Sequence, residues 1–270
     1  MIDLDRIADA FARYDLARVT AYRNRLGNDN EIEVRKFGSA TAILFPEVDR
    51  FNSVYGVGEE ELSLVEEIIR FYSRKDRWFR LHLLPGVPRE AAGSLLGSAR
   101  FCPDEGDGWY HQELGGELPA SLPEREGITC HLVDGENRER FVRTYLEGFD
   151  AALERPDAAV QNMLQLFDIP DLYFLETLVD GRMGGVGMLY VLGDLALLAA
   201  GTTLPGYRQN GCHLASLAER KKMAQSLGCR HLVAMRPPGA DVSGRNMEKL
   251  GLRCVWEDLP WRFGGKEPGR

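Results

Sequence analysis

The chain has 270 residues, of which 44% are hydrophobic and 27% charged, with a net charge of −8. This is a globular composition, long enough for one large domain or two of ordinary size. The acidic balance argues against a dedicated nucleic-acid-binding protein, because phosphate binding needs a basic face. The sequence has no run of about 18 apolar residues, and its N-terminus lacks the apolar segment of a signal peptide, so we expect no membrane association.

The five cysteines are scattered and never occur in CxxC spacing, and the five histidines are equally dispersed. Zinc sites need clustered ligands, so this distribution predicts no metal site. Unpaired, dispersed cysteines are typical of reduced thiols, and we therefore expect a cytoplasmic protein.

Hydrophobic periodicity predicts the elements of the first half. Residues 2–26 form one or two helices, 39–46 a strand, 59–72 an amphipathic helix, 78–84 a strand and 88–96 a helix. Residues 51–58 are interpreted as a loop. The segment 103–127 is rich in glycine, proline and acidic residues, so we predict a domain boundary near its end, with domains at 1–125 and 126–270.

The second half begins again with a strand at 128–133 and helices at 136–149 and 157–167. Three strands follow, at 172–179, 183–192 and 195–202, and the turn residues between them predict a meander of hairpins. A loop, a helix at 212–227, a strand at 231–235, a helix at 243–250 and two edge strands at 252–257 and 260–263 complete the chain. This order predicts an α/β (α+β) fold with a mixed, mostly antiparallel central sheet flanked by helices.

The stretch 195–227 runs from an apolar strand through a basic, glycine-containing loop into a helix. The first amide groups of a helix lack internal partners and lie at the positive end of its dipole, which suits a phosphate. Gly211 would let the backbone approach such a ligand closely. The alternative is an ordinary strand–helix turn with a surface arginine, Arg208.

Two stretches resemble the GCN5-related N-acetyltransferase (GNAT) superfamily. The acyl-CoA motif of this family consists of arginine or glutamine, any two residues, glycine, any one residue, and then glycine or alanine. In PGYRQNGCH, Arg208 and Gly211 match this motif, and His213 replaces its last, small residue. In SGRNMEKLGL, Lys249 and Gly251 match the end of the late helix, and Leu252 replaces an aromatic residue.

The resemblance implies a GNAT fold over residues 128–263 and transfer of an acyl group, acetyl in the first instance, from acyl-CoA to a primary amine by direct attack in a ternary complex. Acetyl-CoA would be the cosubstrate, without a metal. Its pyrophosphate would be held by Arg208 and by the amides of the residues that follow, Gln209, Asn210, Gly211, Cys212 and His213. Its pantetheine arm would pair with the backbone of Ala199, Ala200, Gly201, Thr202 and Thr203, where the strand separates from 231–235. The alternative is that this small-residue run is only a tightly packed strand.

The catalytic groups depart from the family pattern. Met247 stands where family members often carry a tyrosine that protonates the leaving thiolate, and Ala240 replaces an asparagine. Glu176 and Ser243 are the candidate catalytic residues, and Asn246 a candidate cofactor contact. His131 and Tyr190 are further candidate bases. Alternatively, strand alternation turns Glu176 outward to solvent, and Ser243 and Asn246 are simply helix-start residues.

The first half echoes the second in element order, which predicts a tandem arrangement with a degenerate N-terminal GNAT-like domain; an unrelated α/β domain is the alternative. The expected N-terminal loop carries no basic residue and precedes three glutamates, so CoA binding is not expected there. A catalytically inactive GNAT-fold binding or regulatory module is the alternative function. The expected partner is a small-molecule or peptide amine, without nucleic acid, and the chain is expected to be a monomer or homodimer.

Overall fold

The computed structural model describes residues 2–25, 31–115, 126–149 and 156–264. The chain forms two compact units. We call residues 2–107 together with the segment after residue 256 the N-terminal unit, and residues 108–256 the C-terminal unit. The predicted boundary at 125/126 stays a prediction. In the present division, the described residues 108–115 belong to the C-terminal unit and residues 257–264 to the N-terminal unit, whereas the prediction placed them the other way round.

The described part of the N-terminal unit combines helices with a six-stranded sheet. Its helices are α1 Leu4–Arg23, α2 Val65–Ser73 and α3 Arg89–Ser98. Its strands are β1 Glu33–Phe37, β2 Ala40–Leu44, β3 Ser53–Val57, β4 Phe79–Leu83, β5 Cys102–Pro103 and β13 Trp261–Phe263. Their order in the sheet is β1-β2-β3-β4-β13-β5.

Two N-terminal expectations need correction. Residues 51–58 were expected to form a loop, but strand β3 spans Ser53–Val57, pairing antiparallel with β2 and parallel with β4. Its two partners lie on either side of it along the chain, so a local pattern does not reveal them. The predicted helix 59–72 begins as a 3-10 turn, Glu60–Leu64, and becomes α2 at Val65.

The described part of the C-terminal unit is built on a seven-stranded sheet. Its helices are α4 Arg138–Gly148, α5 Pro156–Leu164, α6 Cys212–Ser226 and α7 Asp241–Lys249. Its strands are β6 Asp107–Glu113, β7 Ile128–Leu132, β8 Leu172–Val179, β9 Arg182–Leu192, β10 Leu195–Thr203, β11 His231–Arg236 and β12 Arg253–Asp258. Their order is β12-β6-β11-β10-β9-β8-β7. The predicted fold class, a mixed and mostly antiparallel sheet flanked by helices, is confirmed.

Two strands lie where the sequence did not place them. Residues 107–113, expected within a boundary segment, form β6 and pair with β11 over six residue pairs, from His231↔Glu113 to Arg236↔Gly108. The last strand, β13, was expected at an edge, but it lies between β4 and β5 in the N-terminal sheet. The chain therefore exchanges strands between its halves, which hydrophobic periodicity cannot predict.

Helices cover both faces of the C-terminal sheet. The Phe141 ring of α4 meets the Phe174 ring of β8 at 5.2 Å. On the other face, Leu217 of α6 packs in the core with Leu189 and Leu198. Because β8, β9 and β10 form the predicted antiparallel meander, residues two apart on these strands share a face.

The segment after residue 256 completes the N-terminal unit. Phe263 packs its ring against Phe79 and Phe101, with centroids 5.6 and 5.1 Å apart. Just before β13, Asp258 lies 2.6 Å from Nδ1 of His82 on β4. Nearby, burial is the main cause that raises the pKa of Asp107 to about 6. The N-terminal core thus depends on side chains from the end of the chain.

Candidate functional site

The central parallel strands of the C-terminal unit separate partway along their length. Strands β10 and β11 pair from Leu195↔His231 to Leu198↔Ala234 and no further. Strand β10 continues to Thr203, and among the residues that the structure describes it is paired only with β9 in this stretch. A β-bulge occurs between Leu198 and Gly201. The backbone of residues 199–203 therefore presents an edge toward the opening, and these small residues are half-buried.

The loop after β10 leads directly into α6. Gly211 is the N-cap, with φ of +84°, and no side chain among the described residues caps this helix end. Gln209 also has a positive φ, +65°. Ala215 N–H bonds to Gly211 O, the first bond of the helix, so the amides before it lack intrahelical partners. The helix end offers free N–H donors on an exposed loop at the open end of β10.

Arg208 lies at the same place but is directed toward the neighbouring carbonyls. Its Nε donates to Thr203 O at 3.3 Å and one Nη donates to Gly148 O at 3.4 Å. Gly148 ends α4 and lies close to Thr202, since a Cβ at Gly148 would be 2.4 Å from the Thr202 Cγ2. The exposed guanidinium therefore joins the end of α4 to the end of β10.

The two residues after Gly211 turn their side chains away from the exposed loop. The Cys212 thiol is buried, and burial raises its pKa to about 11. The His213 ring reaches α7, with its Nδ1 3.0 Å from Nδ2 of Asn246. Burial, followed by the nearby charge of Arg220, lowers the pKa of His213 to about 4. The neutral His213 ring accepts a hydrogen bond from Asn246. Cys212 and His213 can therefore offer a ligand at the helix end their backbone amides but not their side chains.

Helix α7 starts earlier than predicted, at Asp241 after the N-cap Ala240. Asn246 is therefore the sixth residue of the helix and not a helix-start residue, whereas Ser243 is the third residue and does lie at the helix start. Ser243 is half-buried, in the first turn. Met247 is 4% exposed and belongs to the hydrophobic core, so its position offers no proton donor.

Glu176 does not face solvent, in contrast to the alternative weighed from strand alternation. It is 7% exposed, and its Oε2 accepts from Arg140 of α4 at 2.6 Å. Because helices cover both faces of this sheet, alternation along β8 cannot turn it outward. Register places Glu176 opposite Val186, which in turn lies opposite Thr202 of β10. Glu176 and Thr202 thus lie in one cross-strand row, about 10 Å apart at two strand spacings.

The other candidate bases lie farther from the opening. His131 pairs with Glu176 in register but is exposed on β7, at the edge of the sheet. Tyr190 is 9% exposed near the C-terminal end of β9, opposite Leu197 of β10.

Tyr110 was not identified from the sequence, because it lies in the segment interpreted as a domain boundary. The structure places it on β6, two strands from β10. A Cβ at Gly244 of α7 would be 2.9 Å from its hydroxyl. Arg220, a fully buried side chain of α6, was not identified either. The burial of one charged residue on a helix that also buries Leu217 and Ala224 has no signal in local spacing.

The corresponding part of the N-terminal unit is built differently. Strands β3 and β4 pair through Val57↔Leu83, and Leu84 N–H then bonds to Val57 O at 3.0 Å. The carboxylate of Glu61, at the start of the following helical turn, accepts from Gly58 N and Ser39 N, both at 3.0 Å. Paired strands and an internal carboxylate therefore occupy the positions where the C-terminal unit has an opening and free amides.

Several other features of the described residues bear on the site. These residues hold no cluster of three or more side chains that could bind a metal ion. Their helices also lack the length and apolar character needed to cross a bilayer. A cavity of about 860 Å³ lies beside the C-terminal half of α6, lined by residues such as Cys130, Leu175 and Met223. Since α6 has 15 residues, it is about 22 Å long, so the cavity is remote from Gly211.

Neither a protein-family model nor the sequence of a curated protein matches this chain. Solved structures do match it. A GCN5-related N-acetyltransferase from Kribbella flavida has a TM-score of 0.66 at 18% identity, covering 95% of this chain and 96% of its own. The chain has the GNAT fold. A GCN5-related N-acetyltransferase from Sphaerobacter thermophilus matches with a TM-score of 0.61 at 14% identity, over 91% and 84% of the two chains.

A tandem GNAT protein from the clavulanic acid biosynthesis pathway matches with a TM-score of 0.53 at 11% identity, over 77% of this chain and 71% of its own. The resemblance found in the sequence is therefore confirmed at the level of the fold.

Proposed function

We propose that the C-terminal unit is an acyl-CoA-dependent N-acyltransferase that acts on a primary amine. One observation carries the proposal: β10 and β11 separate just before a helix whose N-cap is a glycine without a capping side chain. A strand edge beside a set of free amides fits a ligand with an extended amide-bearing arm joined to a pyrophosphate.

The binding roles follow from this arrangement. The backbone of Ala200, Gly201, Thr202 and Thr203 would pair with the pantetheine arm as an added strand. The amides of Gln209, Asn210, Gly211, Cys212 and His213 would bind the pyrophosphate, assisted by the Arg208 guanidinium, whose present bonds at 3.3 and 3.4 Å are long enough to exchange readily. Asn246 would support the site by holding the His213 ring away from the exposed amides.

Acetyl-CoA supplies a thioester, and in the reaction the amine nitrogen bonds to the carbonyl carbon while the carbon–sulfur bond breaks. The amine loses a proton and the departing thiolate gains one, so the site needs a base and an acid. We assign the base role to Glu176. Glu176 lies in the same cross-strand row as Thr202, at a distance of about 10 Å. This distance exceeds hydrogen-bond reach, so the proton would pass from the amine to Glu176 through water. Ser243, half-buried in the first turn of α7, is our candidate for hydroxyl contact with the reacting group.

The acceptor would be a small-molecule or peptide amine, handled by a monomer or a homodimer. The N-terminal unit would not bind CoA, because its paired strands and the Glu61 carboxylate occupy the equivalent positions. All five cysteines are free, which fits the cytoplasmic location that we propose.

A second candidate is a GNAT-fold module that binds the cofactor without catalysis. Two observations favour it: Met247 is in the core, and Arg140 already neutralises Glu176. The two candidates agree on cofactor binding and differ only in turnover.

The first test is calorimetric titration of the full chain with acetyl-CoA, CoA and desulfo-CoA. We expect binding to the wild type, and we expect Arg208→Glu to weaken it about 30-fold through loss of a charge-assisted contact of about 2 kcal/mol and added repulsion. Arg143→Glu is the matched control, since Arg143 is 58% exposed on α4 and bonds only locally to Glu139 in the same helix.

Absence of binding by the wild type at millimolar ligand, or equal affinity in Arg208→Glu, would overturn the proposal. Turnover is then tested by release of the CoA thiol in the presence of amine, peptide and aminoglycoside panels. Amine-dependent release supports the acyltransferase, and binding without release across the panels supports the module.

A further inference from the structure

Arg220 is a buried cation in the middle of α6, only 1% exposed. Its guanidinium lies against the sheet, where Nη1 donates to Met188 O of β9 at 3.0 Å and to Ala199 O of β10 at 3.2 Å. Its Nε donates to Ser216 O within the helix at 3.2 Å. The side chain therefore fixes two carbonyls on the strands that lead to the opening.

Two glycines make room for this guanidinium. A Cβ at Gly187 would lie 2.8 Å from Cζ of Arg220, and a Cβ at Gly201 would lie 3.2 Å from its Nη2. Gly187 and Gly201 are direct partners across β9 and β10. The slot thus lies beneath the β-bulge that separates Leu198 from Gly201. A neutral side chain would fill such a slot without the cost of burying a charge, so the charge itself calls for a role.

The direction of the Ala199 carbonyl determines where the next amide points. Arg220 bridges this carbonyl to Met188 O, so the Ala199 C=O faces the β9 side of β10. In a trans peptide, the C=O and the following N–H point in opposite directions. The Ala200 N–H therefore faces the β11 side, beyond the last β10–β11 pair at Leu198↔Ala234.

We propose that Arg220 is a positioning residue of the C-terminal site: by holding the Ala199 carbonyl, it aims the Ala200 N–H into the opening as a donor for the acyl carbonyl oxygen. The inference rests on the proposed function and deepens it. Donation from a charged group to the Ala199 carbonyl also polarises the peptide and makes its N–H a stronger donor. Donors fixed in advance toward developing negative charge stabilise the transition state of acyl transfer.

The test separates the acyl contact from binding of the rest of the cofactor. Dissociation constants of CoA and acetyl-CoA are measured for the wild type, Arg220→Met and Arg220→Lys, together with the infrared carbonyl band of bound acetyl-CoA labelled with ¹³C at the thioester carbon. We expect Arg220→Met to keep CoA affinity but to lower the preference for acetyl-CoA about tenfold, as expected for one lost hydrogen bond.

The carbonyl band should shift back toward its position in free acetyl-CoA in Arg220→Met. Arg220→Lys keeps a charge, but its ammonium ends one bond short of Nη1, the atom that contacts both carbonyls, so its band should lie between the two. Lys221→Met is the matched control, because Lys221 is also buried on α6 but donates to Leu250 O, at 2.7 Å, away from the bulge. It should leave the band unchanged.

An unchanged band and preference in Arg220→Met would overturn the inference. An equal loss of CoA and acetyl-CoA affinity would also overturn it, because that result is expected of a purely structural arginine. If Arg220→Met does not fold, the intermediate band of Arg220→Lys decides. A wild type that binds no CoA would instead refute the proposed function itself, and the separate CoA titration makes that failure distinguishable.

Discussion

Replacing Glu61 with alanine should destabilise the N-terminal unit by about 3 kcal/mol. The Glu61 carboxylate is 7% exposed and accepts from Ser39 N at 3.0 Å, Ser39 Oγ at 2.9 Å and Gly58 N at 3.0 Å. Hydrogen bonds to a charged group contribute about 1.5–3 kcal/mol each. Because Ser39 is exposed and water can replace part of the loss there, we expect the effect of about one to two such bonds.

Glu61→Gln distinguishes this explanation from simple packing. The glutamine fills the same space and its amide oxygen can keep the Ser39 bonds, but its amide nitrogen would face the Gly58 N–H. We therefore expect a measurable loss of stability that is smaller than in Glu61→Ala. Glu67→Ala is the control, since Glu67 is exposed on the first turn of α2, and it should change stability by less than about 0.5 kcal/mol.

The pH dependence provides a second check. The backbone hydrogen bond from Ser39 is the largest cause that lowers the pKa of Glu61. Since the folded pKa is below the unfolded value of about 4.3, this stabilisation is fully present above that value. It is lost as the pH falls through the lowered pKa of the folded state, and Glu61→Ala should remove this part of the acid sensitivity.

Amide hydrogen exchange followed by mass spectrometry is the appropriate assay, because its peptides report on each unit separately. In Glu61→Ala, protection should fall in the peptides of β2, β3 and α2 and stay unchanged in β8 to β10. Wild-type protection in Glu61→Gln would refute the hydrogen-bond argument, and wild-type protection in both variants would refute the role of the carboxylate altogether.

Two further predictions concern His213 and Phe263. Burial and the charge of Arg220 lower the pKa of His213 to about 4, so as the pH falls the unfolded chain binds this proton before the folded chain does. The free energy of unfolding of the C-terminal unit should therefore decrease between about pH 6.5 and about pH 4. In urea unfolding measured across this range, His213→Gln should reduce the pH dependence, and an unchanged pH dependence would contradict the assignment. Phe263→Ala should destabilise the N-terminal unit by about 2 kcal/mol. This is less than the loss expected for a fully buried phenylalanine, because the Phe263 ring is half-buried against Phe79 and Phe101. Amide hydrogen exchange should rise in the peptides of β4 and β5. Leu95→Ala, at a side chain 39% exposed on α3, is its control; equal effects of the two substitutions would contradict the packing of β13.

The sequence alone was enough for most elements of the C-terminal unit because their signals are local. Asp180 and Gly181, for example, mark the turn between β8 and β9, and both adopt positive φ, 50° and 74°. This is the geometry of the tight hairpins that such residue pairs favour. The loop into α6 was equally readable, since Gly211 has the left-handed conformation that only glycine adopts without strain.

The tertiary structure decided what depends on distant partners. Strand β6 has few local signals and is fixed by pairing with β11, more than a hundred residues later in the chain. Strand β13 joins a sheet whose other strands come from the first half, because Phe263 and Trp261 complete the core there. Strand order is set by which edges meet in three dimensions, and no periodicity within either segment contains that information.

The candidate site divides in the same way. The sequence located Arg208 and Gly211, because a strand–loop–helix signature lies within a few residues. It could not show that Glu176 is buried beside Arg140, because alternation defines two faces but not what covers them. Nor could it reveal Arg220 beneath the β-bulge, since the slot is formed by glycines of two other strands. The sequence by itself determined most elements of the C-terminal unit and the loop, and the packing of helices on both sheet faces decided which side chains are buried around them.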